Sequence, residues 1–199
     1  MNLYRKFIAA SLIFFALAAG AAENTAKLDE NGLHIQNWFH QSSGNLLTDL
    51  QAAEAQGKGL VILYEQRGCV YCAELHAVNF ARPEIVDLID EGFLVVQLDL
   101  NSRDEIFDLD GTILSESSLA QKWGVTFTPT TLVFSGSDTT VQSREDAEIF
   151  RLPGYIPPFY YYTALDYFAS GEYTNKDFQA FLRIRVSELN DQGIDPEFW

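Results

Sequence analysis

Gly59-Leu60-Val61-Ile62-Leu63-Tyr64-Glu65-Gln66-Arg67-Gly68-Cys69-Val70-Tyr71-Cys72 joins an apolar run to two cysteines three positions apart, and its reading decides the fold. Gly59 to Tyr64 has the unbroken apolar character of a strand covered on both faces. The cysteines stand where the chain turns into a helix, since Leu75, Val78 and Asn79-Phe80 keep helical spacing beyond them. Pro83 interrupts that pattern and Ile85, Val86, Leu88 and Ile89 resume it until Gly92, which predicts a kinked or broken helix. Phe93 to Leu100 is a second buried strand, and the strand-helix-strand order implies a parallel pair.

A Cys-x-x-Cys pair at a helix start has a chemical reason for its spacing. Both sulfurs lie on one turn, and the first faces the exposed backbone N–H groups, which favour thiolate over thiol and lower the pKa from about 8.5. Cys69 is therefore the expected nucleophile and Cys72 the resolving thiol, which attacks the mixed disulfide and releases the partner. Other uses of the pair fit less well. A c-type haem site needs His after the second Cys, where Ala73 stands. Zinc needs about four ligands, and only His76 is close in sequence, with His34 and His40 on a distant arm, so no metal is expected. A purely structural disulfide remains an alternative. His76 reads as a partly exposed helix histidine that could also tune a thiol.

Toward the N-terminus, Asn45 is a good cap for a helix carrying Leu46, Leu47, Leu50 and Ala53, which Gly57 closes. His34 to His40 reads as a short packed arm with Ile35, Trp38 and Phe39, and Asn24 to Gly32 as a mobile polar lead-in. Arg5 and Lys6, the apolar run Phe7 to Leu17 and the small residues Ala19-Gly20-Ala21 have the pattern of a cleaved secretory leader. The mature chain is then expected to begin near Ala22 or Glu23, in the periplasm, without a stable membrane anchor.

Toward the C-terminus, Asp110-Gly111 between alternating residues from Phe107 to Leu114 predicts a hairpin. A calcium loop is disfavoured, because registering Gly111 on its glycine places Ser117 where a bidentate Glu is required. Ser115 caps a short helix to Trp123, stopped by Gly124. Val125 to Phe134 returns to the sheet through Thr128-Pro129-Thr130, Ser135 to Asp138 turns, and Thr139–Gln142 and Ile149–Leu152 read as strands. Pro158–Ser170 and Asn175–Leu189 read as helices before a polar tail. The Tyr and Phe cluster from Phe159 to Phe168 reads as helix core.

The chain of 199 residues has room for one domain with extensions. Its net charge of −15 repels phosphate backbones and anionic membranes, which argues against nucleic-acid binding. With only two cysteines, so close together, the disulfide cannot staple distant segments.

The ordered set Glu65-Gln66-Arg67-Gly68-Cys69-Val70-Tyr71-Cys72, His76, Asn79-Phe80-Ala81-Arg82-Pro83, Phe107-Asp108-Leu109-Asp110-Gly111, Lys122-Trp123-Gly124-Val125, Phe127-Thr128-Pro129-Thr130 and Leu152-Pro153-Gly154-Tyr155 resembles the thioredoxin superfamily. Within it, the chain is similar to the SoxW-like periplasmic thioredoxins of bacterial sulfur oxidation. The resemblance implies that Pro129 is a cis-proline facing the cysteines. Thr128, Pro129, Val70 and Tyr71 would then contact the substrate. It also implies protein disulfide or dithiol partners among sulfur-oxidation components, and reduction by a membrane thiol-electron conduit of the CcdA or DsbD type. Four positions depart from the family pattern. Leu63 stands where a buried Asp is usual, Gly68 where a Trp is usual, and Val70-Tyr71 replaces Gly-Pro between the cysteines. Glu65 and Glu74 are stand-in candidates for the missing proton acceptor, and each also reads as a solvated charge.

The expected architecture is thus an α/β thioredoxin fold: three layers, with a central mixed sheet flanked by helices, a β-hairpin insertion and a C-terminal helical extension. Its expected segments are a signal peptide (1–22), an N-terminal arm (23–44), the thioredoxin-like domain (45–190) and a tail (191–199). The expected activity is that of a protein disulfide oxidoreductase working as a reductase, with no cofactor beyond the redox-active Cys69–Cys72 disulfide. The rivals are a DsbA- or DsbC-like oxidase or isomerase and a redox-inert binding or chaperone module.

Overall fold

Lys27–Leu28 (β1) and His34–Ile35 (β2) pair antiparallel in the computed structural model, which describes residues 27–135 and 141–199. The Asp29 carboxylate holds the turn between them, accepting from the N–H groups of Asn31 and Leu33 at 2.9 and 2.8 Å. From residue 27 onward the lead-in expected to be mobile is therefore tied into a turn, and the leader residues 1–22 lie outside the described chain.

Asn45 caps α1 (Leu46–Glu54), its side chain accepting from the Thr48 N–H at 3.1 Å. The helix buries Leu46, Leu50 and Ala53, the face its spacing predicts. After Gly57, whose φ of 71° ends the turn as only glycine does readily, β3 (Gly59–Glu65) runs with every residue buried. The helix after the cysteines is broken as expected. α2 (Val70–Glu74) gives way to a π-turn over Leu75–Asn79, and α3 (Pro83–Gly92) restarts with Pro83 at its first position, where a missing N–H is harmless. β4 (Phe93–Asp99) then lies parallel to β3, with Gly59 opposite Phe93 and Glu65 opposite Asp99.

β5 (Glu105–Phe107) and β6 (Ile113–Ser115) form the hairpin around Gly111, at φ 79°. Its turn is wider than a two-residue loop: the Asp108 N–H donates to the Thr112 carbonyl at 2.8 Å. Lys122 of α4 (Glu116–Lys122) grips it through Asp108 and Asp110 at 2.6 and 2.5 Å. Ser115 caps α4 by accepting from the Ser118 N–H at 3.1 Å.

β7 (Thr130–Phe134) pairs antiparallel with β3, so the strand expected from Val125 starts only after Pro129. The expected strand Thr139–Gln142 is not formed in its described half. The Gln142 N–H instead donates to the Asp146 carboxylate at 3.1 Å, beside α5 (Arg144–Ala147), while residues 136–140 lie outside the described chain. β8 (Glu148–Pro153) completes a sheet ordered β4-β3-β7-β8.

Side chains alternate across this sheet. Leu60, Ile62 and Tyr64 of β3 join Leu46, Leu50, Leu119, Trp123 and Ile106 on one face. Val61 and Leu63 join Leu75, Phe80, Ile85, Ile89, Tyr161 and Leu165 on the other. The result is the expected three layers, with α1, α4 and the hairpin on one side and α2, α3 and α6 (Pro158–Ala169) on the other. The aromatics of α6 serve the core as read, with Phe159 and Tyr161 buried.

The C-terminal extension differs in two places. α7 (Phe178–Asp191) begins later than Asn175, because Asp177 supplies the cap, accepting from the Ala180 N–H at 3.1 Å, after a 3₁₀ turn at Glu172–Thr174. The tail is packed: Trp199 lies 5.2 Å from the Tyr162 ring and 5.8 Å from that of Phe159, with the Arg82 guanidinium 4.7 Å over it. Among the described residues no helix is long and apolar enough to cross a membrane.

Candidate functional site

β3 delivers the chain to Gly68, whose φ of 73° turns the backbone so that Cys69 caps α2. Cys69 and Cys72 form a disulfide with Cα atoms 5.2 Å apart. The two sulfurs are unequal: Cys69 is 7 % exposed, whereas Cys72 is fully buried. Two donors address the outer one. The Cys72 N–H donates to Cys69 Sγ at 3.0 Å, and the Thr128 hydroxyl donates to it at 3.3 Å. Both would stabilise negative charge on Cys69 once the bond is cleaved.

The loop before β7 faces this sulfur. The Thr128–Pro129 peptide is cis, the Pro129 carbonyl accepts from the Gly154 N–H at 2.7 Å, and the Thr130 hydroxyl donates to the Phe127 carbonyl at 2.8 Å. Around it Val70, Tyr71 and Phe127 stand 75, 60 and 64 % exposed. This apolar rim can cover a partner's backbone while its disulfide meets Cys69. Sequence reasoning quoted Phe127 only as part of the Thr128-Pro129 motif and gave it no role at the site, because an aromatic in a loop carries no periodic signal.

Behind the cysteines the structure corrects the reading of two residues. Glu65, read either as a stand-in proton acceptor or as a solvated charge, and His76, read as a partly exposed helix histidine, are both fully buried, which removes the solvated and exposed readings. His76 Nε2 lies 3.1 Å from Glu65 Oε1. The reason is tertiary: Gln97 donates to Glu65 Oε2 and to the His34 carbonyl, each at 2.6 Å, and the Gln36 amide donates to His76 Nδ1 at 3.1 Å. A buried carboxylate requires such partners, and they come from β4 and the arm rather than from neighbours in sequence.

The arm expected to be distant is therefore in contact with the site. The His34 ring is 5.4 Å from that of His76. Its pKa is pulled below the ordinary histidine value by burial and then by His76, against an opposing pull from Glu65. Arg67, two residues before Cys69, donates to the Asn31 carbonyl at 2.7 Å. His40 stays apart, 3.9 Å from the Asp49 carboxylate. Glu74 is half-buried outside the network, where its charge adds to burial in raising the Tyr155 hydroxyl pKa. Leu63 is buried among apolar side chains on the same sheet face as Glu65.

Comparison with known proteins bears on the fold. The thioredoxin-like domain family matches residues 46–169, from the first residue of α1 to the last of α6. Among solved structures, a thioredoxin-fold protein from Helicobacter pylori is similar at 22 % identity with a TM-score of 0.56, covering 75 % of this chain and 92 % of its own. A thioredoxin from Thermus thermophilus shares 19 % identity over 65 % of this chain and 92 % of its own, with a TM-score of 0.49. The periplasmic thioredoxin SoxS from Paracoccus pantotrophus shares 20 % over 58 % of this chain and 99 % of its own, with a TM-score of 0.38. No curated protein sequence matches the chain.

Proposed function

The chain belongs to the thioredoxin-like domain family, and from that premise we propose that it is a periplasmic thiol-disulfide oxidoreductase that reduces disulfides in other proteins. The observation that carries this reading is the asymmetry of the cysteine pair. One cysteine keeps slight exposure and has two hydrogen-bond donors on its sulfur, and the other is sealed beneath.

In the reduced protein, the Cys69 thiolate attacks one sulfur of a partner disulfide. The partner's S–S bond breaks, a Cys69–partner bond forms, and the departing partner thiolate takes up a proton. Cys72 then loses its proton and attacks Cys69 Sγ, which re-forms the intramolecular disulfide and releases the second partner thiolate. Two electrons have passed to the partner. Thr128 and the Cys72 N–H hold charge on Cys69 when it is the nucleophile, while Val70, Tyr71 and Pro129 present the surface against which the partner segment lies. The cycle needs an external dithiol to reset it. A membrane thiol-electron conduit of the CcdA or DsbD type supplies that chemistry, and SoxW-like service to sulfur-oxidation components is the partner class the sequence motifs favour. Export rests on the leader-like pattern of Arg5, Lys6 and the apolar run that follows.

Equilibration with glutathione or dithiothreitol tests the direction. A potential nearer about −270 mV than about −120 mV supports a reductase, and the reverse identifies an oxidase or isomerase. If Cys69→Ser leaves the biological activity intact, the chain is instead a redox-inert binding or chaperone module.

A further inference from the structure

We propose that Arg67 is a specificity-determining residue of the exchange reaction: a turn of the N-terminal arm holds its guanidinium beside Cys69, where it selects partner proteins that carry an acidic side chain next to the disulfide under attack. The inference rests on the thiol-disulfide reading above and names a class of partner for the same site.

Three stretches of chain meet at the cysteine pair. Residues 66–72 carry it, residues 125–131 bring the Thr128 hydroxyl onto Cys69 Sγ, and residues 152–157 join them through the Gly154 N–H on the Pro129 carbonyl. In a chain with 28 acidic and 13 basic residues, these three stretches hold a single charged side chain, Arg67. Glu65, just before the first stretch, is fully buried. Glu74 is half-buried on the side of Tyr155, whose hydroxyl pKa is raised by burial and then by the Glu74 charge. Arg67 is exposed, and standing two residues before Cys69 it has its Cα at most about 7 Å from that of the nucleophile. A partner laid against the uncharged rim therefore meets one cation.

That cation is held in place. Arg67 Nε donates to the Asn31 carbonyl at 2.7 Å, and a Cβ on Gly32 would lie 3.1 and 3.2 Å from Arg67 Nε and Cγ, so the stem of the side chain rests on the glycine. The turn that presents this carbonyl is itself fixed. The Asp29 carboxylate takes the Asn31 and Leu33 N–H groups, the Gly32 N–H donates to the Asp29 carbonyl at 3.1 Å, and Gly32 stands at φ 81°, which other residues rarely adopt. Glu30 on the same turn is exposed and forms no ion pair with Arg67. Among the described residues the two terminal nitrogens of Arg67 have no hydrogen-bond or ion-pair partner, which leaves the fork that grips a carboxylate through two parallel bonds. A side chain already held loses less freedom on binding than one that is free. The net charge of −15 repels acidic partners at a distance, but at physiological ionic strength charges beyond about 8 Å are screened. A carboxylate docked beside Cys69 meets the guanidinium directly.

The test uses the reduced full chain as wild type, Arg67→Gln and Arg67→Glu. Each is mixed with three peptides of one sequence that differ only in having Glu, Gln or Lys beside a cysteine held as its mixed disulfide with 2-thiopyridine. Attack by the Cys69 thiolate on the peptide sulfur breaks that disulfide and releases pyridine-2-thione, whose absorbance gives the rate, and Cys72 then frees the peptide thiol. Dithiothreitol, which is uncharged, supplies the intrinsic reactivity of each peptide, and rates are taken relative to it. Wild type is expected to react about three- to fivefold faster with the Glu peptide than with the Gln peptide, and slower with the Lys peptide by a similar factor. Arg67→Gln should bring the three rates within about twofold of one another, and Arg67→Glu should reverse their order. Each protein is compared with itself, so a change in Cys69 reactivity or in stability cancels from the ratios. If Arg67→Glu does not fold, Arg67→Gln carries the test, and about 1 M salt should erase the wild-type preference. A wild-type preference for Glu over Lys below twofold, or one that survives in Arg67→Gln, would overturn the inference. A wild type that releases pyridine-2-thione from none of the peptides overturns the exchange reading itself, which separates the two failures.

Discussion

Glu116→Gln should make the protein more stable at pH 8 and leave it nearly unchanged at pH 4.5. Glu116 opens α4, half-buried, with Oε2 accepting from the Asp99 N–H at 2.7 Å. Burial pushes its carboxyl from the ordinary 4.5 up to about 7, the Asp99 hydrogen bond pulls the other way, and the charges of Asp104 and Asp99 add to the rise. The folded pKa lies above the unfolded one, so the folded state holds a proton that the unfolded chain has already released between the two values. The associated stability is complete below pH 4.5 and is lost as pH rises through 7. A displacement from 4.5 to about 7 corresponds to at most about 3 kcal/mol, and water reaching a half-buried group reduces this to about 1–2 kcal/mol. Glutamine keeps the acceptor for Asp99 and cannot ionise. Urea unfolding of both proteins at several pH values isolates the effect, because every other titrating group is common to the pair. A stability difference that stays flat between pH 4.5 and 8 would refute the reasoning.

Two further substitutions probe the packing. Gly59→Ala should cost about 1–3 kcal/mol in urea unfolding, since a Cβ there would lie 2.7 and 2.8 Å from Phe168 ring atoms and 3.2 Å from the Phe134 carbonyl oxygen. A stable variant would mean that the Phe168 ring swings aside freely. Asn45→Ala should cost about 1 kcal/mol by removing the cap on the Thr48 N–H, and Asn45→Asp should restore it; equal loss in both would show that the cap is not the cause.

What was legible in the sequence was local. The caps Asn45 and Ser115, the stop at Gly57 and the break at Pro83 each depend on residues within a turn of themselves, and each is found where its chemistry puts it. The apolar runs of β3 and β4 likewise sufficed to order the central strands. The buried pair at Glu65 and His76 was misread because its partners come from 40 and 32 positions away, Gln36 reaching His76 and Gln97 reaching Glu65. No spacing rule connects such residues, and a charged side chain read alone is more often at the surface. The tail was misread for a related reason, since Trp199 finds its place against α6 and Arg82. The last helix was read as starting at Asn175, ahead of the cap that Asp177 supplies.

The central claim is that Cys69 exchanges disulfides with proteins and Cys72 resolves the product. Reduced Cys72→Ser protein, mixed with a disulfide-bearing test protein and separated without reductant, measures it directly. The account predicts a covalent complex that dithiothreitol dissolves and that disappears when Cys69 is also changed to Ser. Absence of the complex in Cys72→Ser, or its persistence without Cys69, would contradict the account.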